Sequence, residues 1–101
     1  MAVDSNTEVT LCVLLWAHAG QDRALVAYED TVLQLVSSHR GRVLQRARTD
    51  GAENGPLEIH VLQFPNERAL DAYMQDPKRA ALAAERDRAI VRTEVHRVDL
   101  V

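Results

Sequence analysis

Residues 8–18 read EVTLCVLLWAH, an apolar run with almost no polar interruption. A run this short and this apolar is a strand buried on both faces. Val9, Leu11, Val13 and Leu15 take one face, and Cys12, Leu14 and Trp16 take the other. The chain has 101 residues, which is a single domain (1–101) with a modest core. A fold for this chain must therefore find two covers for one strand.

The remaining elements show where those covers lie. Residues 1–7 form a polar leader, expected to be frayed. Residues 22–40 carry Leu25, Tyr28, Val32, Leu35, Val36 and His39 at helical spacing, with Asp22 suited to the N-cap and Gly41 to a left-handed C′ position. Residues 42–50 alternate as an edge-like strand, Leu44, Arg46 and Arg48 on one face. The turn sequence DGAENGP over 50–56 leads into a second central strand over 57–64, so the pair forms a hairpin. Asn66 caps a helix over 67–75. Asp76-Pro77 then breaks it, with helix resuming over 78–91. Residues 92–101 alternate as a last strand.

The order is β-α-β-β-α-β. Two right-handed crossovers of this kind build a ferredoxin-like α+β fold, a four-stranded antiparallel sheet with helices on one face. Strands one and three, the most apolar, then lie in the middle. The helices cover one face of strand one, and the other face asks for a partner. Burial of each large apolar side chain contributes roughly 1.5–3 kcal/mol, so a homodimer packed sheet to sheet is the expected second cover.

Net charge is −3, which argues against nucleic-acid binding and against an anionic membrane surface. The longest apolar stretch, 11–17, is far too short to span a bilayer. A single cysteine, Cys12, and the lack of a signal-peptide pattern point to the cytoplasm. No zinc-type spacing, phosphate loop or nucleophile elbow is present, so no cofactor and no metal is implied.

The apolar strand over 11–16, Tyr28, Gly41-Arg42-Val43-Leu44, Phe64-Pro65-Asn66-Glu67-Arg68-Ala69, Tyr73 and Asp76-Pro77 together resemble the dimeric α+β barrel superfamily. Within it the chain looks most like an uncharacterised family, domain of unknown function 1330. It departs from that family at Arg40-Gly41-Arg42 and at Val98-Asp99. The resemblance implies a dimeric α+β barrel. It also implies a range of activities, among them cofactor-free oxygenases, cyclases, decarboxylases and isomerases and haem-degrading or haem-peroxidising enzymes, alongside proteins with no known activity.

Several residues suit chemistry. His60 lies mid-strand, and Glu58, about 7 Å away along the strand, shares its face. A buried histidine beside a carboxylate is a recipe for a general base, and equally for a satisfied interface histidine. Trp16 and His18, at the end of strand one, suit stacking and hydrogen bonding to an aromatic ligand, or an interface anchor and an exposed turn. Tyr28 and Tyr73 turn toward the sheet with polar tips. Arg46, with Arg42 and Arg48, suits an anionic ligand or a solvated edge. Two readings follow: a small-molecule site, catalytic at His60 and ligand-binding at Trp16, His18, Tyr28 and Arg46, or a non-catalytic ligand-sensing or interaction module. A cavity of roughly 300 Å³ or more between sheet and helices separates them.

Overall fold

The computed structural model describes residues 7–101, and the polar leader expected over 1–7 falls almost wholly outside them. Four strands form one antiparallel sheet: β1 (Val9–Ala17), β2 (Arg42–Arg48), β3 (Glu58–Phe64) and β4 (Ile90–Arg97), in the order β2-β3-β1-β4. The helices are α1 (Asp22–Val32), α2 (Gln34–Ser38), α3 (Glu67–Met74), α4 (Pro77–Ala80) and α5 (Ala83–Ala89). This is the ferredoxin-like arrangement, with the two apolar strands in the middle. Among the described residues no helix is long and apolar enough to cross a membrane.

Strand alternation decides which side chains meet the helices. Val9, Leu11 and Leu15 of β1 and Glu58, His60, Leu62 and Phe64 of β3 are buried. Cys12, Leu14, Trp16, Ile59 and Val61 lie half-buried on the opposite, open face of the sheet. The core divides in two. One part gathers Val36, Leu62, Phe64, Leu70 and Tyr73, and the other gathers Leu15, Leu25, Tyr28, Val32 and Ile90. Val13, Leu33 and Leu35 touch both.

Several boundaries differ from the sequence expectation, each for a local reason. The first helix is interrupted at Leu33, where Val36 N–H donates to Leu33 O in a tighter turn. It begins after Gln21, which offers no side-chain cap, so Asp22 is its first residue and supplies only acidic charge there. At its end Arg40, not Gly41, is left-handed, with φ 62°. The N–H groups of Arg40 and Gly41 donate to Ser37 O and Val36 O, which is a Schellman motif. Gly41 is needed for another reason: a Cβ there would stand 2.7 Å from Phe64 Cε1 and 2.8 Å from Val36 Cγ1. Asn66 and Asp76 cap as expected, accepting from the N–H of Ala69 and of Lys78. The last helix ends at Ala89 rather than 91, because Ile90 is already extended and buried in β4.

One irregularity in the sheet matters for the site. The β2–β3 register shifts between Val43 and Gln45, a bulge at Leu44. Val43 pairs with Leu62, yet Arg46 pairs with His60 and Arg48 with Glu58. Without the extra residue both arginines would share the open face with Ile59. The bulge turns them toward the helices, a re-aiming that bulges commonly perform.

Candidate functional site

A cavity of about 300 Å³ lies between the sheet and the helices. Its walls come from both halves of the core: Leu11, Val13 and Leu15 from β1, Val32 and Tyr28 from α1, Leu70 and Tyr73 from α3. Polar groups are few. They are Glu29 from α1, His60 from β3, Arg79 from α4, Arg86 from α5, and Thr93 and Arg97 from β4, besides the tyrosine hydroxyls. An apolar space with a few convergent polar groups is the usual form of a small-molecule site.

His60 is 1% exposed and stands between two carboxyl groups. Its Nε2 lies 2.8 Å from Glu58 Oε1, and its Nδ1 lies 3.8 Å from Glu29 Oε1. The backbone spacing along β3 is closed by the two side chains leaning together. Glu58 is fully buried, which raises its pKa, but hydrogen bonds from Arg46, His60 and Arg48 outweigh burial and hold it down at about 2. Arg46 donates through Nε and Nη2 to its two oxygens, at 2.8 and 3.0 Å. Arg48 adds donors at 3.0 and 2.7 Å to Oε2. Arg46 also reaches Asp30 Oδ1 at 2.7 Å.

This clamp defines the imidazole. An ionised Glu58 accepts only, so Nε2 carries the proton and donates it, leaving Nδ1 as an acceptor toward Glu29. Burial lowers the pKa of His60 below 6.5, with Glu58 opposing that shift, so the ring is neutral at physiological pH. Glu29 is 5% exposed and makes no comparable bonds. Burial, then the charge of Glu58, push its pKa up to about 7, against the attraction of Arg46, Arg79 and Arg86. An imidazole acceptor thus faces a carboxyl group that is part protonated at neutral pH.

The structure brings some of the residues singled out in the sequence together and separates others. His60 and Tyr28 line the cavity. Burial raises the pKa of Tyr28, so its hydroxyl keeps its proton. Arg46 lies behind the cavity wall and binds Glu58 and Asp30 rather than forming a solvated edge. Trp16 lies on the open face, away from the cavity: its Nε1–H donates to Asn54 O at 2.8 Å, and the Arg92 guanidinium sits 4.5 Å over its ring. His18 is exposed in the turn after β1, its backbone N–H donating to Ala89 O. Glu29, Arg79 and Arg86 were not singled out. Position 29 stands four residues after Leu25 and three before Val32, so the inner stripe of α1 was a usable signal. Among the described residues no group of three or more His, Cys, Asp or Glu side chains is placed to hold a metal ion.

No protein-family model matches the chain, and no curated protein matches it in sequence. The resemblance to domain of unknown function 1330 thus has no family match behind it. Solved structures do match. A candidate antibiotic biosynthesis monooxygenase from Caulobacter crescentus superposes with a TM-score of 0.78 at 13% identity, covering 98% of this chain and 94% of that one. A dabb family protein with a ferredoxin-like fold from Mesorhizobium loti gives 0.68 at 13%, covering 93% and 97%. A dimeric protein of unknown function with a ferredoxin-like fold from Bacteroides fragilis gives 0.72 at 10%, covering 92% and 96%. At such identities the likeness is one of fold: this chain has a ferredoxin-like fold.

Proposed function

We propose that this protein binds a small molecule between sheet and helices and performs cofactor-free acid–base chemistry on it, of the kind an oxygenase, isomerase or cyclase needs. One observation carries the reading: the cavity of about 300 Å³ has on its wall a buried histidine whose tautomer is set by an ionised, arginine-clamped glutamate. His60 Nδ1 takes a proton from an acidic C–H or O–H of the ligand. Glu29, pushed up to about 7 and so part protonated at neutral pH, returns one to a ligand oxygen.

The protein works as a homodimer. The half-buried apolar side chains Cys12, Leu14, Ile59 and Val61 on the open face supply a surface for a second copy, and a dimeric neighbour shares the fold. A cytoplasmic location agrees with the single free cysteine.

Native mass spectrometry tests the assembly, with a mass near twice 11.3 kDa expected and a clean monomer overturning it. Chemistry is tested with 2,4-pentanedione as a carbon acid in deuterated water. The protein should speed exchange of the central C–H, and His60→Gln, which keeps a donor for Glu58, should lower the added rate about 10²-fold or more. Equal rates for the two proteins would remove the base and favour the non-catalytic ligand-sensing module.

A further inference from the structure

The polar groups of the cavity are unevenly matched in charge. Arg79 lines it from α4 and Arg86 from α5. Arg79 Nη1–H reaches Met74 O at 3.5 Å, its guanidinium lies 5.0 Å from the centre of the Tyr73 ring, and the Tyr73 hydroxyl is a further hydrogen-bond partner. Its Nε–H is buried and has no acceptor among the described residues. Arg86 donates to Thr93 Oγ1 at 3.3 Å and stands 3.9 Å from the exposed Asp87. The third arginine on the wall, Arg97, is already engaged by Glu67. The one carboxyl group among the lining residues is Glu29. Two cations with unused donors thus border a mostly apolar space, and a buried N–H without an acceptor is costly until a ligand supplies one.

We propose that Arg79 and Arg86 form an anion-recognition end, so that the ligand of the cavity is a small carboxylic acid with an apolar body, bound as its carboxylate. This deepens the reading of the cavity as a ligand site and rests on it. The guanidinium fork suits a carboxylate in two-point contact. Leu11, Val13, Val32 and Leu70 receive the apolar body.

The bound anion and Glu29 compete for the same two cations. Glu29 is faced by His60 and Glu58 from β3, Arg46 from β2, Arg79 from α4 and Arg86 from α5. A second negative charge beside Arg79 and Arg86 favours the protonated form of Glu29. Acid binding therefore takes up a proton and weakens as pH rises through about 7.

Saturation-transfer NMR of two matched pairs tests this: benzoate with benzamide, and phenylacetate with phenylacetamide, at pH 6 and pH 8. At pH 6 the acids should bind about 10-fold or more tightly than the amides, with a smaller gap at pH 8. The Arg79→Gln/Arg86→Gln double variant should lose the preference while binding the amides unchanged, which also reports that it folds. Glu29→Gln should keep the preference at pH 8. Equal binding of acid and amide, or a preference that survives the double variant, overturns the anion-recognition end and leaves the cavity reading standing. Failure of all four probes overturns the cavity reading and this inference with it.

Discussion

Two regions on the helix side of the sheet use the same residue type in opposite ways. Around Glu58 the structure is closed: its carboxylate accepts from two arginines and a histidine. Around Glu29 it is open, with a cavity on one side and the nearest imidazole nitrogen 3.8 Å away. Both glutamates are buried to a similar degree, at 0% and 5% exposure, yet one is held at about 2 and the other at about 7. Burial alone does not set a carboxyl group's charge. The donors that reach it do.

Removing the charge of Glu58 should have the largest effect. Glu58→Gln leaves Arg46 and Arg48 facing a neutral amide, at a cost of about 3 kcal/mol in urea unfolding at pH 7. A loss below about 1 kcal/mol would mean that the clamp is decorative and the two regions are alike. The same group should weaken the protein in acid. Its folded pKa lies below the ordinary glutamate value of 4.5, so the stability it contributes is present above about 4.5 and is lost as pH falls toward 2.

Packing draws the second contrast. Gly41→Ala adds one methyl where Phe64 and Val36 already fill the space, and should cost about 1–3 kcal/mol. A neutral outcome would show that part of the core to be loose as well.

Glu29 should respond with the opposite sign of pH dependence. Its folded pKa is raised from 4.5 to about 7, so the native protein binds more protons than the unfolded chain between those values. Its contribution to stability is complete below about 4.5 and falls away as pH rises through about 7. Glu29→Gln should therefore stabilise at pH 8 by about 1–2 kcal/mol and change little at pH 4. A destabilisation at pH 8 would place an unsuspected partner at Glu29.

The smallest effect belongs to the cavity itself. Val13→Phe fills empty space, so stability should rise by about 0.5–1 kcal/mol while benzamide binding is lost. A larger side chain tolerated here, beside a methyl group refused at Gly41, would sharpen the distinction between the two regions.

Much of this was legible in the chain. Period-two alternation assigned every central-strand residue to its face, and put Glu58 and His60 on the same one. Asn66 and Asp76-Pro77 marked helix starts through side-chain and proline chemistry that acts within a few residues. Whether a cavity lies between sheet and helices was not legible in the chain; the structure has one of about 300 Å³. The open and misread positions fall where distant segments meet. Trp16 suits either a ligand pocket or an interface in the sequence, because alternation tells which residues share a face but not which face the helices cover; the structure puts it on the open face. Gly41 was read as a left-handed cap, whereas its lack of a Cβ serves Phe64, 23 positions further along the chain.

What local pattern determined, then, is the order of elements, their caps and the two faces of each strand, because those depend on neighbours in sequence. What only the tertiary structure decided is the site's charge. A one-residue bulge at Leu44 turned Arg46 and Arg48 onto Glu58, and helix packing set Glu29, Arg79 and Arg86 around one space. Electrostatic character comes from groups brought within a few ångströms by folding, and no spacing along the chain specifies that distance.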